Sequence, residues 1–124
     1  MGVTGIGGFF FRAQDKAALA AWYADMLGVG GGDWGLWAQE AGQTVFSPFA
    51  SDTTYFPADK QWMLNFRVDG LDALKAALEA KGVTVLTDPD WDTPGVGRFV
   101  RIHDPEGNAI ELWEPALEAR GDAA

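Results

Sequence analysis

The stretch Gly97–Pro115, reading G-R-F-V-R-I-H-D-P-E-G-N-A-I-E-L-W-E-P, constrains this chain more than any other. Phe99–His103 is rich in aromatic and β-branched residues, which suit a pleated surface. Asp104-Pro105-Glu106-Gly107-Asn108 is a turn: Pro fixes φ, Gly accepts positive φ, and Asp and Asn bond back to the backbone. Ala109–Trp113 then reads as a second strand. Alternation puts Ile110 and Leu112 on one face and Ala109, Glu111 and Trp113 on the other. One face is apolar, and its opposite carries a mid-strand carboxylate beside a Trp. Such a carboxylate either points into a pocket or lies on a wet face, and the spacing leaves both open.

Any chain closing on this hairpin must bury its apolar face, and 124 residues suffice for one compact domain or two small halves sharing a core. Eight Phe, six Trp and two Tyr are many for this length, and rings line concave ligand sites as well as cores. With no Cys, disulfides, thiolate metal sites and cysteine nucleophiles are excluded; the single His103 rules out a multi-histidine cage within one chain. A net charge of −9 repels phosphate backbones and anionic bilayers, so neither nucleic acid nor membrane is an expected partner. The opening Met1–Gly5 lacks the basic and apolar regions of a secretory leader, and no run approaches the ~20 apolar residues of a membrane span. Ile6 stands where a myristoylation signal needs Ser or Thr. A soluble, cytoplasmic protein is expected.

In chain order, Ile6–Arg12 reads as a strand, and Phe9, Phe10 and Phe11 in a row suit one covered on both faces. Lys16–Leu27 reads as a helix with Asp15 as its N-cap, Gly28 as its stop, and Leu19, Trp22, Tyr23, Met26 and Leu27 in one apolar stripe. Gly30–Gly32 trails a helix and precedes no Lys-Ser/Thr, so it is a connector and not a phosphate loop. Trp34–Glu40 and Gln43–Phe49 read as a hairpin turning at Ala41-Gly42. Ala50–Lys60 is irregular and carries Tyr55-Phe56, as a lid over a site or as a surface-packed loop. The order then restarts: strand Gln61–Val68, helix Leu71–Lys81, strand Val83–Leu86, a loop over 88–97 holding Trp91, and the closing hairpin. This is an internal βαβββ duplication, with a frayed tail over 116–124. A helix covers one face of a sheet, so two halves find a partner for the other face by curling around a shared cleft.

Three passages carry a resemblance. Ala21–Gly28 (A-W-Y-A-D-M-L-G) resembles the first-helix ending of the vicinal-oxygen-chelate superfamily, the group of glyoxalase I, bleomycin-resistance proteins, fosfomycin-resistance enzymes and extradiol dioxygenases. Asn65–Asp69 resembles its midpoint strand, and Asp104–Leu112 closely resembles its closing hairpin. The likeness spans 3–115. It implies an α+β fold of two βαβββ modules, about 3–55 and 60–115, whose curved mixed sheet surrounds a central cleft with helices outside. It also implies a homodimer.

Catalytic members of that superfamily hold a divalent metal on the concave sheet face. The matching positions here are Gly8, which has no ligand atom, Met63, a soft thioether, and Glu111. Only Glu111 survives, so no cofactor is predicted, and a divalent metal stays open. His103 lies beside the turn, away from mid-strand. Strand parity puts Phe10 and Arg12, then Met63, Asn65 and Arg67, then Phe99, Arg101, Glu111 and Trp113 on the concave face. Rings with a few charges suit an aromatic or carboxylate-bearing small molecule, with an Arg forking onto a carboxylate, though each Arg can equally pair with an acid across the sheet. Three functions follow: a metal-independent binding protein of bleomycin-resistance type; a metal-dependent lyase or dioxygenase using Glu111 with non-standard ligands; or a metal-free enzyme with Glu111 as general base.

Overall fold

A computed structural model describes residues 1–119. Of the expected tail, Leu117–Ala119 form a 3₁₀ turn, and residues 120–124 lie outside the described residues.

The two helices form where their end signals place them. Helix α1 covers Lys16–Leu27: the Asp15 carboxylate accepts the Ala18 N–H at 3.0 Å, and Gly28, at φ 67°, closes the last turn. Helix α2 covers Leu71–Ala80 and begins after Gly70. Three strands make one mixed sheet: β1 (Leu64–Arg67), β2 (Gly97–His103) and β3 (Ala109–Pro115), in the order β1-β3-β2. Strand β3 is central, parallel to β1 and antiparallel to β2, with Leu112 facing Phe66 on one side and Val100 on the other.

This register gathers Leu64, Ile110 and Ile102 in one row and Phe66, Leu112 and Val100 in the next. Both rows pack with Leu19 and Tyr23 of α1 and Leu71 and Leu78 of α2 into the core. The fully buried aliphatic side chains there each contribute about 2 kcal/mol of transfer free energy. Both helices lean on this one sheet face, which leaves the other free for chemistry.

The hairpin also fastens the helices through its carboxylates. Glu106 accepts the Gln14 and Asp15 N–H groups ahead of α1, at 2.7 and 3.0 Å. Glu114 accepts the Gly70 and Leu71 N–H groups at 3.1 and 2.9 Å, replacing the side-chain cap that Gly70 lacks. At the exposed rim Arg98 bridges Asp72 and Glu114, and its guanidinium holds the Asp72 carboxyl below the usual carboxylate range. Gly97, at φ 142°, has no room for a side chain: a Cβ would strike the Glu114 carbonyl and sit 2.7 Å from Trp113 Nε1.

The first half departs from the sequence expectation. Among the described residues, Ile6–Arg12, Trp34–Glu40 and Gln43–Phe49 form no paired strands. Phe9 and Phe11 instead stack edge-on against Trp62, so rings rather than ladder bonds hold that segment. Asp33–Gly35 makes a 3₁₀ turn with Trp34 at φ 62°, which breaks the extended run where a strand was expected. The Ala41-Gly42 turn is held by Arg67, whose guanidinium donates to the Glu40 and Gln43 carbonyls. In the second half, strand Gln61–Val68 shortens to β1, and Val83–Leu86 reduces to a single bridge between Leu86 and Arg101.

Candidate functional site

Glu111 lies at the middle of β3, and because β3 is central, strands flank it on both sides. Its register neighbours are Asn65 on β1 and Arg101 on β2. The row above holds Arg67, Trp113 and Phe99. Strand alternation thus brings all six to the face away from the core.

Glu111 is only 9% exposed, yet no basic side chain among the described residues pairs with it. Its two oxygens take neutral donors. The Asn65 amide donates to Oε1 at 2.8 Å, and the Tyr55 hydroxyl donates to Oε2 at 2.5 Å. Charge-assisted bonds of this length are the strong kind, and together they satisfy a buried carboxylate that would otherwise be costly.

Arg101 faces Glu111 across the ladder without forming an ion pair. Tyr55 lies between them. The guanidinium donates to the Tyr55 carbonyl at 2.6 Å and to Met63 Sδ at 3.6 Å. It covers the Tyr55 ring at 4.6 Å and the Trp91 ring at 5.2 Å, and its Nε is buried without a partner. A cation–π contact offsets part of a cation's desolvation but leaves its charge uncompensated. Beside it runs an open groove of about 320 Å³, lined by residues 53–58, Arg101 and His103.

Tyr55 is the residue that sequence reasoning did not assign to the site. It comes from the irregular loop, and its ring stacks on Phe49 at 5.6 Å and 21°. Burial and the Glu111 carboxylate push its hydroxyl up to about 12, while Arg101 works the other way. The only sequence signal was a pair of aromatics in a polar loop; its partner Glu111 lies 56 residues away. Trp91, whose role the sequence left open, joins as a face for Arg101.

The remaining expected residues are placed as follows. Trp113 is buried, stacks on Phe99 at 6.2 Å, and donates its indole N–H to the Val96 carbonyl. Arg67 shares the face but is engaged by backbone carbonyls. Phe10 is 94% exposed, and Arg12 is also exposed. His103 ends β2, opposite Ala109 and exposed.

The donor set around Glu111 fits a hard divalent cation poorly. One carboxylate, an amide, a phenol, a thioether and a guanidinium include a single anion, and both of its oxygens already accept hydrogen bonds. No group of three His, Cys, Asp or Glu side chains able to hold a metal converges among the described residues.

A three-stranded mixed sheet with two helices on one face and a polar row on the other defines a small α+β domain. Residues 8–113 match the model of the glyoxalase-like domain, and the chain belongs to that family, within the vicinal-oxygen-chelate superfamily. It is similar to "Putative glyoxylase CFP32" of Mycobacterium bovis and Mycobacterium tuberculosis, 40% identical over 55 residues. That match covers 44% of this chain and about a fifth (21%) of the length of those relatives. Among solved structures it is similar to TnmS3, an antibiotic binding protein from Streptomyces sp. CB03234, at 25% identity and TM-score 0.61, covering 94% of this chain and 99% of that one. It shares its fold with integron cassette protein HFX_CASS4, from the mobile metagenome of Halifax Harbour sewage outfall. There the identity is 21% and the TM-score 0.51, with 88% and 99% of the two chains covered. No helix among the described residues is long and apolar enough to cross a membrane.

Proposed function

We propose that this glyoxalase/bleomycin-resistance-like protein binds a small aromatic or carboxylate-bearing organic molecule on the Glu111 face, without the metal centre usual in its family. One observation carries the reading. Arg101 holds a cation in a ring-lined groove without an ion pair, opposite a buried carboxylate whose oxygens take neutral donors. A flat ring stacking beside Trp91 with a carboxylate forked onto Arg101 would supply the anion that Arg101 lacks. The likeness to an antibiotic binding protein over nearly the whole chain supports a binding role.

Phe99, Trp113, Met63 and Asn65 line the same face as walls and hydrogen-bonding groups, and Arg67 rims it. Phe10 and Arg12 join the reading only through the two-module arrangement. In that arrangement modules of about 3–55 and 60–115 enclose a cleft, and exposed rings such as Phe10, Trp34 and Phe46 are covered in a cytoplasmic homodimer. The domain itself needs neither nucleic acid nor membrane.

Benzoate, titrated by tryptophan fluorescence, tests the reading. Arg101→Gln is expected to weaken it at least tenfold; equal affinity in the two proteins would refute the anion site. Elemental analysis after loading with Mn²⁺, Fe²⁺, Ni²⁺ or Zn²⁺ tests the other readings. Stoichiometric metal that disappears in Glu111→Ala would replace this proposal with a metal-dependent lyase or dioxygenase. Turnover lost in Glu111→Gln without metal would make Glu111 a general base, a role suited to a carboxylate buried beside rings.

A further inference from the structure

The loop between the expected modules is attached to the sheet in an unusual way. Within 53–58, the backbone bonds are local: the Thr53 N–H donates to the Ala50 carbonyl, the Tyr55 N–H to the Thr53 hydroxyl, and the Lys60 N–H to the Pro57 carbonyl. The polar ties of this segment to the sheet, among the described residues, both run through Tyr55, by its hydroxyl to Glu111 and by its carbonyl from Arg101. The loop is therefore held by the same two groups that the proposed site offers to a ligand.

The slot that Tyr55 fills has a definite chemistry. A carboxylate oxygen accepts one O–H at its floor. Phe49 lies parallel to the ring on one side, and the Arg101 guanidinium covers the ring at 4.6 Å. A flat aromatic ring carrying a hydroxyl meets all three features at once, and an aliphatic acid meets none but the cation.

We propose that the site takes a hydroxy-arene whose hydroxyl and ring replace those of Tyr55 on Glu111, so that Tyr55 is the built-in occupant a ligand must displace. This rests on the binding reading above. Displacement leaves 53–58 with one of its two polar ties to the sheet, the Tyr55 carbonyl on Arg101. The groove beside Arg101 and His103 then widens toward the ligand's far end. Apparent affinity is lowered by the fraction of molecules in which the loop is closed. The bound hydroxyl keeps its proton, as that of Tyr55 does against the same carboxylate.

The test is equilibrium dialysis of 4-nitrophenol, with nitrobenzene as the same ring lacking the hydroxyl. The proteins are the wild-type chain, Tyr55→Ala, Tyr55→Phe and Glu111→Gln. Tyr55→Ala is expected to bind 4-nitrophenol about tenfold tighter than wild type, as removal of a self-occupant releases the closed fraction. Tyr55→Phe, which keeps the ring but frees Glu111, should gain about threefold. Nitrobenzene should gain less than 4-nitrophenol in both. Absorbance supplies a second readout: the phenolate is yellow and the phenol colourless, so binding on Glu111 at fixed pH should fade the colour, and in Glu111→Gln the fading should vanish.

Equal or weaker 4-nitrophenol binding by both Tyr55 variants overturns the proposal, leaving Tyr55 a wall. The benzoate result with Arg101→Gln then stands by itself. Should Tyr55→Ala fail to fold, Tyr55→Phe alone decides, a rise supporting displacement and no rise overturning it. If 4-nitrophenol binds none of the proteins and benzoate ignores Arg101→Gln, both readings fall together.

Discussion

Two carboxylates on the closing hairpin, Asp104 and Glu111, are each buried and each accept a tyrosine hydroxyl, yet their surroundings differ. Asp104 receives the Tyr23 hydroxyl at 2.7 Å, the Asn108 side-chain amide at 2.8 Å, and the backbone N–H groups of Glu106 and Asn108. All four donors come from its own turn or from α1, and the Tyr23 hydroxyl is pushed well above its ordinary range by burial and by that carboxylate. Among the described residues Glu111 receives two donors, one from an irregular loop and one from the exposed Asn65. The same tyrosine–carboxylate pair is a rivet where its donors are built into regular structure. It becomes exchangeable where one donor rides on a loop, since a ligand can replace a donor that little else holds in place.

Removing each carboxylate should break the comparison most sharply. Asp104→Ala strands the Tyr23 hydroxyl and the Asn108 amide in the core, and should cost about 3 kcal/mol of unfolding free energy in a urea titration. Glu111→Gln, with donors that reach solvent or turn away, should cost under about 1 kcal/mol in the same assay. Equal losses would mean that Glu111 is as structural as Asp104. The tyrosines should follow suit: Tyr23→Phe is expected to lose about 1.5 kcal/mol and Tyr55→Phe about 0.5 kcal/mol or less. Glu114→Ala sharpens the contrast from a third position, because it removes the acceptor at the start of α2. A loss of about 1 kcal/mol is expected, with lower helix content before the main transition.

The smallest effect appears only in alkali. Both tyrosines are raised above the ordinary value near 10, Tyr55 to about 12. Between those limits the unfolded chain has released protons that the folded chain still holds, so stability is intact below pH 10 and declines as pH rises toward 12. Tyr55→Phe should remove its share of that decline, beyond its loss of about 0.5 kcal/mol or less at neutral pH. An unchanged alkaline limb would mean that Tyr55 is not held on Glu111 in solution.

Helix α1 and much of the second half were legible because their signals are local. Asp15 and Gly28 bound α1, and the Asp-Pro-Glu-Gly-Asn turn fixed the hairpin. Period-two alternation then set Asn65, Arg101 and Glu111 on one face, since a paired strand cannot change parity without a bulge. The first half misled for a physical reason. Phe9–Phe11, Trp34 and Trp37 have the composition of strands, but Phe9 and Phe11 pack on Trp62 and Trp37 on Phe66 without ladder bonds, while Phe10 and Trp34 stay exposed. The part of Tyr55 could not be read locally, because it depends on a contact across 56 residues made by a loop without periodicity.

The grip of Glu106 on the backbone ahead of α1 has a consequence for biosynthesis. During translation α1 leaves the ribosome long before its partner, which lies 92 residues downstream of Gln14. Until then two N–H groups at its entrance face water, and the apolar stripe of Leu19 and Tyr23 has no sheet to rest on. A twelve-residue helix in that position is marginal. The nascent chain therefore has little to gain from folding piecemeal.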